Sequence, residues 1–274
     1  MRSVLGGGAM GTVYRARQVW LERDVAVKVL RGGGPVDSRA RRRLHREARA
    51  VARIHNPHVV QVHDYGETAE GAPFLVMELV PGPTADAWFR GSPDLAAVLE
   101  AVDGVLGGLA AAHARGILHR DLKPANMLLR DADPTQMVLV DFGIAGIFQT
   151  SSTSSSLSAV QPAVDGVLPD AVEAMLRGER EQARAARKGE ERITQEGTVV
   201  GTPLYMAPEQ ALGKPVGPAG DVYAATVVLY EWLTGRPPFT GPVGEVMRSH
   251  AFKVAPPLRA RSGLRVSDAL RLLV

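Results

Sequence analysis

The 274-residue sequence contains no cysteine. That excludes disulfide bridges, thiol catalysis and cysteine-ligated zinc, and it suits a reducing cytoplasm. Charge of one sign is also scarce: 32 basic residues stand against 29 acidic ones, leaving +3. No run of lysine or arginine is interleaved with aromatic side chains as a nucleic-acid groove requires, so nucleic acid is not an implied partner. No uninterrupted run of eighteen apolar residues offers a membrane segment. The first residues, Met1-Arg2-Ser3-Val4-Leu5-Gly6, pass straight into glycines without a signal-peptide core. The expectation is a soluble, cytoplasmic chain. What the sequence does have is bulk: 45% hydrophobic residues over this length bury a large core in one domain or two lobes.

The densest chemistry lies in His119-Arg120-Asp121-Leu122-Lys123-Pro124-Ala125-Asn126, followed fifteen residues after Asn126 by Asp141-Phe142-Gly143. Phosphoryl transfer to a hydroxyl needs one carboxylate to orient the hydroxyl and take its proton. It needs a second carboxylate, with an amide, to hold magnesium on the phosphates. Asp121 suits the first role; Asp141 and Asn126 suit the second. Between them, Met127-Leu128-Leu129 and Met137-Val138-Leu139-Val140 read as two strands of a hairpin that returns Asp141 to the side of Asn126. A His-Arg-Asp triplet alone is common by chance. Asparagine five residues beyond the aspartate, with Asp-Phe-Gly after a strand, makes the combination specific.

At these residues the chain resembles the protein kinase superfamily, in particular the catalytic domain of eukaryotic-like serine/threonine protein kinases of bacteria. The resemblance implies an α+β, bilobal fold, with a small β-rich N-terminal lobe at 1–80 and a larger, mainly helical lobe at 81–274. It implies transfer of the γ-phosphate of ATP, with Mg2+ or alternatively Mn2+, to serine and threonine hydroxyls of protein substrates. Lys123 resembles the lysine of serine/threonine kinases that steadies the transferring phosphate.

Gly6-Gly7-Gly8-Ala9-Met10-Gly11 satisfies G-x-G-x-x-G, a weak pattern in a chain with 29 glycines. A dinucleotide fingerprint opens a helix, whereas here Thr12-Val13-Tyr14-Arg15-Ala16 continues as a strand and Asp24-Val25-Ala26-Val27-Lys28-Val29-Leu30 answers it. Without side chains at Gly6, Gly8 and Gly11, the backbone of this flap can approach ATP phosphates closely. Val13 and Ala26 are expected to sandwich the adenine, with Leu5 and Leu128 joining them at the nucleotide. By resemblance Lys28 binds the α and β phosphates and needs a carboxylate partner. Residues 36–54 carry Ala40, Leu44, Ala48, Val51 and Ala52 at helical spacing, with Glu47 beside that stripe. Glu47 is the assigned partner of Lys28, over Glu22 and Glu67 in turns. Residues 59–62 and 74–80 read as further strands, and Pro81-Gly82-Pro83 marks the lobe boundary. By resemblance Met77 is the gatekeeper, and the backbone from Glu78 to Val80 is the hinge that bonds adenine. Residues 95–116 form an apolar helix pattern ending at a glycine.

Sixty-nine residues run from Asp141 to Glu209 inclusive, and the excess reads as an insertion at about 149–196. Hydroxyl residues fill eight of nine positions from Thr150 to Ser158, a composition that buries nothing and is expected to be disordered. Residues 169–188 look helical. A tolerated surface insertion is the plainer account, because long loops add little closure entropy; a docking or regulatory element is the other. Gly201-Thr202-Pro203-Leu204-Tyr205-Met206-Ala207-Pro208-Glu209 resembles the segment that receives the substrate residue. Small-molecule kinases generally lack it, so a protein substrate is expected. By resemblance Thr202 bonds Asp121 and Lys123, Asp221 holds the catalytic-loop backbone, and Glu209 pairs with a late arginine that this sequence does not supply. Thr226 stands where the family usually has glycine. The C-terminal lobe is accordingly expected to be incomplete, and a nucleotide-binding pseudokinase or scaffold is the alternative function. Arg120, Thr194 and Thr198 are the expected regulatory residues: a phosphate on either threonine would bridge Arg120 and one arginine of the run from Arg39 to Arg46. Glu196 is a built-in competitor for that bridge. Trans-autophosphorylation would make a dimer a further partner.

Overall fold

A computed structural model describes residues 3–8, 11–30, 38–69, 71–142 and 203–273. Near-continuous apolar character in Arg23–Leu30 makes it a strand covered on both faces, with Val25, Ala26, Val27 and Leu30 buried. It is β3 of a five-stranded antiparallel sheet ordered β1-β2-β3-β5-β4, with β1 at Ser3–Gly8, β2 at Gly11–Gln18, β4 at Val62–Glu67 and β5 at Pro73–Glu78. Register places Val13 opposite Lys28 and Ala26 opposite Met77. Helix α1, Ser38–Val51, lies within the span that the apolar stripe marked.

One strand expectation is corrected. Residues 59–61 are not part of the strand that begins at Val62. Val60 N–H donates to Leu139 O at 3.0 Å, and Leu139 N–H donates to His58 O at 2.8 Å. Gln61 O still accepts from Glu78 N–H of β5, but the backbone bonds at His58 and Val60 go to the distant hairpin β6–β7, Met127–Leu129 and Met137–Leu139. The sheet-bearing part of the chain is therefore stitched to the hairpin that flanks Asn126 and Asp141.

Beyond α2, Ala85–Phe89, the molecule is mainly helical. Helix α3, Leu95–His113, starts where the Asp94 side chain accepts from Ala97 N–H, and Gly116 beyond it takes a left-handed φ of 70°. Glycine is required within α3 as well: a Cβ on Gly108 would lie 2.8 Å from His58 O. By length and composition α3 is apolar enough to cross a membrane. Its Val98, Ala101, Val105, Leu109 and Ala112, however, face the core. After α4, Pro208–Ala211, comes the central helix α5, Pro218–Thr234, which ends at the left-handed Gly235. Thr226 does not obstruct packing: its hydroxyl turns back to Val222 O, and Ala224, Ala225 and Val228 make the buried face. Helices α6, Val243–Phe252, and α7, Asp268–Leu273, follow. Fully buried Trp232, Leu233 and Leu109 anchor the helical core, each contributing roughly 1.5–3 kcal/mol by burial. The insertion at 149–196 lies outside the described residues.

Candidate active site

Asp221, 1% exposed in the first turn of α5, organises the catalytic loop. Its carboxylate accepts from His119 N–H and Arg120 N–H, both at 2.8 Å, and from His113 Nε2–H at 2.8 Å. These bonds hold Arg120 at φ 63°, and Asp141 sits at φ 61°; left-handed conformations at non-glycine residues cost on the order of 1–3 kcal/mol each. His119 is completely buried, and its Nε2–H donates to Val140 O at 3.0 Å. Burial pushes its pKa down, so the ring is a neutral linker between the two loops, packed against Phe142 at 4.7 Å. The helix-borne carboxylate thus sets the catalytic-loop backbone as expected.

Asp121 has an asymmetric environment. Lys123 Nζ reaches its Oδ2 at 2.9 Å, and Asn126 Nδ2 donates to the same oxygen at 3.1 Å and to Asp121 O at 2.7 Å. Among the described residues no side chain bonds its other carboxylate oxygen, Oδ1. Asn126, 6% exposed, has its amide nitrogen committed, while its side-chain oxygen makes no side-chain bond among the described residues. Residues 124–126 form a 3-10 turn, and Val140 N–H donates to Asn126 O at 3.0 Å, placing Asp141 next to Asn126.

The pairing assigned to Lys28 is corrected. Lys28 is 6% exposed, and its Nζ lies 2.8 Å from Asp141 Oδ1. A buried ammonium takes the carboxylate that packing delivers to it. Glu47 instead lines a separate cavity of about 310 Å³ together with Arg46, Arg115, Arg120 and Phe142. Sequence spacing brought Glu47 to the correct helix, but helix placement decides whether it reaches Lys28. Asp141, already assigned to the metal, carried no signal of this second partnership.

Of the nucleotide residues, Ala26, Met77 and Val80 are buried, Val13 and Leu128 half-buried, and Leu5 is half exposed. Leu128 is brought up to the linker after β5 by its bridge to Thr84 and by Leu129 N–H donating to Pro83 O. Glu78 N–H is bonded to Gln61 O at 2.9 Å, whereas the backbone of Val80 has no backbone partner among the described residues. The Glu78 side chain pairs with Arg130 at 2.5 Å, a link across the linker that local sequence did not suggest. Gly82 is obligatory: a Cβ there would lie 1.9 Å from Leu129 O. Gly11 carries a constraint of its own: a Cβ on it would meet Val29 O at 2.3 Å, so its missing side chain also serves β2–β3 pairing. Nothing lies within 4 Å of a Cβ on Gly6, and the side of Gly8 is not described.

The segment after residue 202 is tied to this site from several directions. Gln210 Nε2 donates to Arg120 O at 2.9 Å, joining α4 to the catalytic loop. Tyr205 OH donates to Glu231 Oε2 at 2.7 Å; burial, then this bond, raises the Tyr205 pKa, and burial likewise raises that of Glu231. Glu209 makes no ion pair among the described residues, and its Oε1 packs where a side chain on Gly220 would stand. Gly143, Thr194, Glu196, Thr198 and Thr202 lie outside the described residues.

A hydroxyl-orienting carboxylate, two metal-suited oxygens and a buried lysine, placed between a five-stranded sheet and a helical body, define a phosphoryl-transfer domain of the two-lobed type. Residues 1–162 and 182–260 match the protein kinase domain family, and the chain belongs to it. It is 34% identical over 280 residues to the serine/threonine-protein kinase pkn3 of Myxococcus xanthus, covering 100% of this chain and 45% of that protein. To the serine/threonine-protein kinase PknH of Mycobacterium tuberculosis it is 35% identical over 270 residues, covering 96% and 36%. The crystal structure of the Mycobacterium tuberculosis PknI kinase domain matches with a TM-score of 0.57 at 29% identity, covering 87% of this chain and 74% of that one. The fold is the bilobal protein kinase fold. The chain spans less than half the length of these curated relatives.

Proposed function

We propose that this chain is an active serine/threonine protein kinase domain that transfers the γ-phosphoryl group of ATP to hydroxyls of protein substrates. The carrying observation is Asp121: Lys123 and Asn126 hold one oxygen and leave the other to accept the hydroxyl proton. The substrate oxygen forms a bond to the γ-phosphorus, the bond to the ADP oxygen breaks, and the proton passes to Asp121. Lys123, 2.9 Å from Asp121, balances negative charge as the phosphoryl group moves. The amide nitrogen of Asn126 is committed, and Asp141 follows Val140, whose N–H is bonded to the Asn126 backbone; the Asn126 amide oxygen and the Asp141 carboxylate are the hard donors that would hold Mg2+, with Mn2+ as an alternative. When bound, such an ion neutralises phosphate charge. Lys28 then stands at the phosphates from β3, and the backbone of Val80 offers hydrogen bonds to adenine. Gln210, linking α4 to the loop of Asp121, supports a protein substrate over a small one.

We divide the lobes at Val80 and Pro81, and place the domain in the cytoplasm on the strength of its cysteine-free composition. Incubation with radiolabelled ATP, magnesium and a mixed histone preparation should yield labelled protein; nucleotide binding without any transfer would mean a scaffold. Lys28→Met is expected to reduce turnover about 100-fold or more, the scale of losing one preorganised cation at developing charge. Glu47→Gln should cost no more than about tenfold, because Asp141 already holds Lys28. Steady-state kinetics separate the two, and a larger loss in Glu47→Gln would show that the working enzyme moves Lys28 onto Glu47.

Regulation by autophosphorylation at Thr194 or Thr198, in trans within a dimer, is part of the same proposal. Its support is the cavity lined by Arg46, Arg115 and Arg120, three basic residues to one acidic residue, Glu47. Mass spectrometry of phosphatase-treated and untreated protein should find phosphate on one of these threonines, and its removal should lower activity. Full activity in a Thr194→Ala, Thr198→Ala double variant would leave Glu196 as the permanent anion.

A further inference from the structure

His250, in α6, is buried and stands outside the phosphoryl-transfer site, yet it is bonded at both ring nitrogens. Its Nε2 lies 3.0 Å from Leu204 O, and its Nδ1 lies 2.8 Å from the Tyr223 hydroxyl on α5. A carbonyl oxygen only accepts, so Nε2 carries the hydrogen. The neutral ring then has only a lone pair at Nδ1, so Tyr223 donates to it. The hydrogen bonds therefore run in one direction, from Tyr223 O–H through the imidazole to the Leu204 carbonyl.

The surroundings hold that arrangement. His250 is 3% exposed, with Phe239 edge-on at 5.0 Å and the Tyr223 ring at 5.7 Å. Burial keeps the imidazole neutral by pushing its pKa down, and burial followed by the charge of Glu209 keeps the Tyr223 hydroxyl protonated by pushing its pKa up. Leu204 is the middle residue of the 3-10 turn Pro203–Tyr205, at the start of the described part of the peptide-receiving segment. Its neighbour Tyr205 is tied by its side chain to Glu231, whereas Leu204 is tied by its backbone carbonyl to His250. Two bonds one residue apart, to two different helices, fix both position and rotation of that turn.

We infer that His250 is a positioning residue for the protein substrate: through the Leu204 carbonyl it sets the peptide-receiving turn against the helical body, with Tyr223 fixing the tautomer that does so. The inference rests on the protein kinase reading above and adds to it a residue that touches neither nucleotide nor reacting atoms. Loss of the link therefore affects binding of the protein substrate and spares ATP. Because the Tyr205 to Glu231 bond remains, the turn loosens without being lost, and the expected effect is graded.

The test begins with the unaltered chain, radiolabelled ATP and a mixed histone preparation. Failure to label any protein overturns the kinase reading itself, whatever His250 does. With labelling in hand, His250→Leu keeps the bulk and removes both hydrogen bonds. It is expected to raise KM for histone about tenfold while KM for ATP changes less than about twofold. His250→Gln restores a donor near the Nε2 position and should return KM for histone to within about threefold of the original. Tyr223→Phe keeps the imidazole but frees its tautomer, and should raise KM for histone about threefold. It decides the matter alone if His250→Leu does not fold. An unchanged KM for histone in the folded variants, or KM values for ATP and histone that rise together, would overturn the inference.

Discussion

Asp141→Asn is expected to abolish transfer and to weaken metal-nucleotide binding, whereas Asp121→Asn should cut turnover about 1000-fold and leave nucleotide affinity nearly intact. The two carboxylates lie on adjoining loops but face different partners. Asp121 bonds Lys123 and Asn126 and keeps an oxygen for the substrate hydroxyl, so its neutralisation touches only the nucleophile. Asp141 is the counter-charge of the buried Lys28 and, in the proposed function, a metal donor, so its neutralisation would remove that donor and leave an ammonium unpaired. Asp141 is 28% exposed in its side chain, which screens the pair, and a stability loss of about 1–3 kcal/mol is the appropriate scale. Titration with a fluorescent nucleotide, alongside turnover on histone, separates the roles. Equal loss of nucleotide affinity in both variants would refute the assignment.

Asp221→Ala should have the largest effect on stability of any single change at the site. Three donors converge on this carboxylate, two of them backbone N–H groups of the catalytic loop. Removing the acceptor strands the buried His119 N–H and leaves the partly buried Arg120 and His113 donors without their partner, at about 1–3 kcal/mol for each buried unsatisfied group. A total loss of about 3–5 kcal/mol is expected, a large part of the margin of a typical domain. Activity falls further than stability explains, because the left-handed Arg120 that precedes Asp121 is no longer held. Urea unfolding should show the midpoint moving with little change in slope, and turnover measured well below that midpoint should still be depressed. A variant with an unaltered midpoint would mean that the loop is held by other contacts.

Legibility from the sequence varied with the range of the interaction. The hairpin that returns Asp141 to Asn126 was readable because both strands and the turn between them lie within a few residues. The helices were readable from apolar spacing and glycine stops, as with α3 and Gly116 or α5 and Gly235. The strand before β5 was misplaced because Val59-Val60-Gln61-Val62 is as good a β pattern as Val62–Glu67. Only the pairing of His58 and Val60 with Leu139 diverts its first half. The G-x-G-x-x-G motif points to phosphate approach at Gly11, and only the sheet pairing shows that Val29 O also excludes a side chain there.

By itself, the sequence determined which chemistry the chain carries. Asp121, Lys123 and Asn126 lie within six residues of one another, so their spacing is geometry as much as composition. Tertiary structure alone decided which charges meet. Lys28 faces Asp141 because β3 and the loop after β7 converge, and nothing in the local sequence of either distinguishes that outcome from a pairing with Glu47. His119 and Asp221 are 102 residues apart, Arg120 and Gln210 are 90 apart, and Leu204 and His250 are 46 apart. A carboxylate, amide or imidazole carries the same label in the sequence whatever packs against it. Its partner is set by where buried helices and strands come to rest, and the burial that sets it there makes the contact worth keeping.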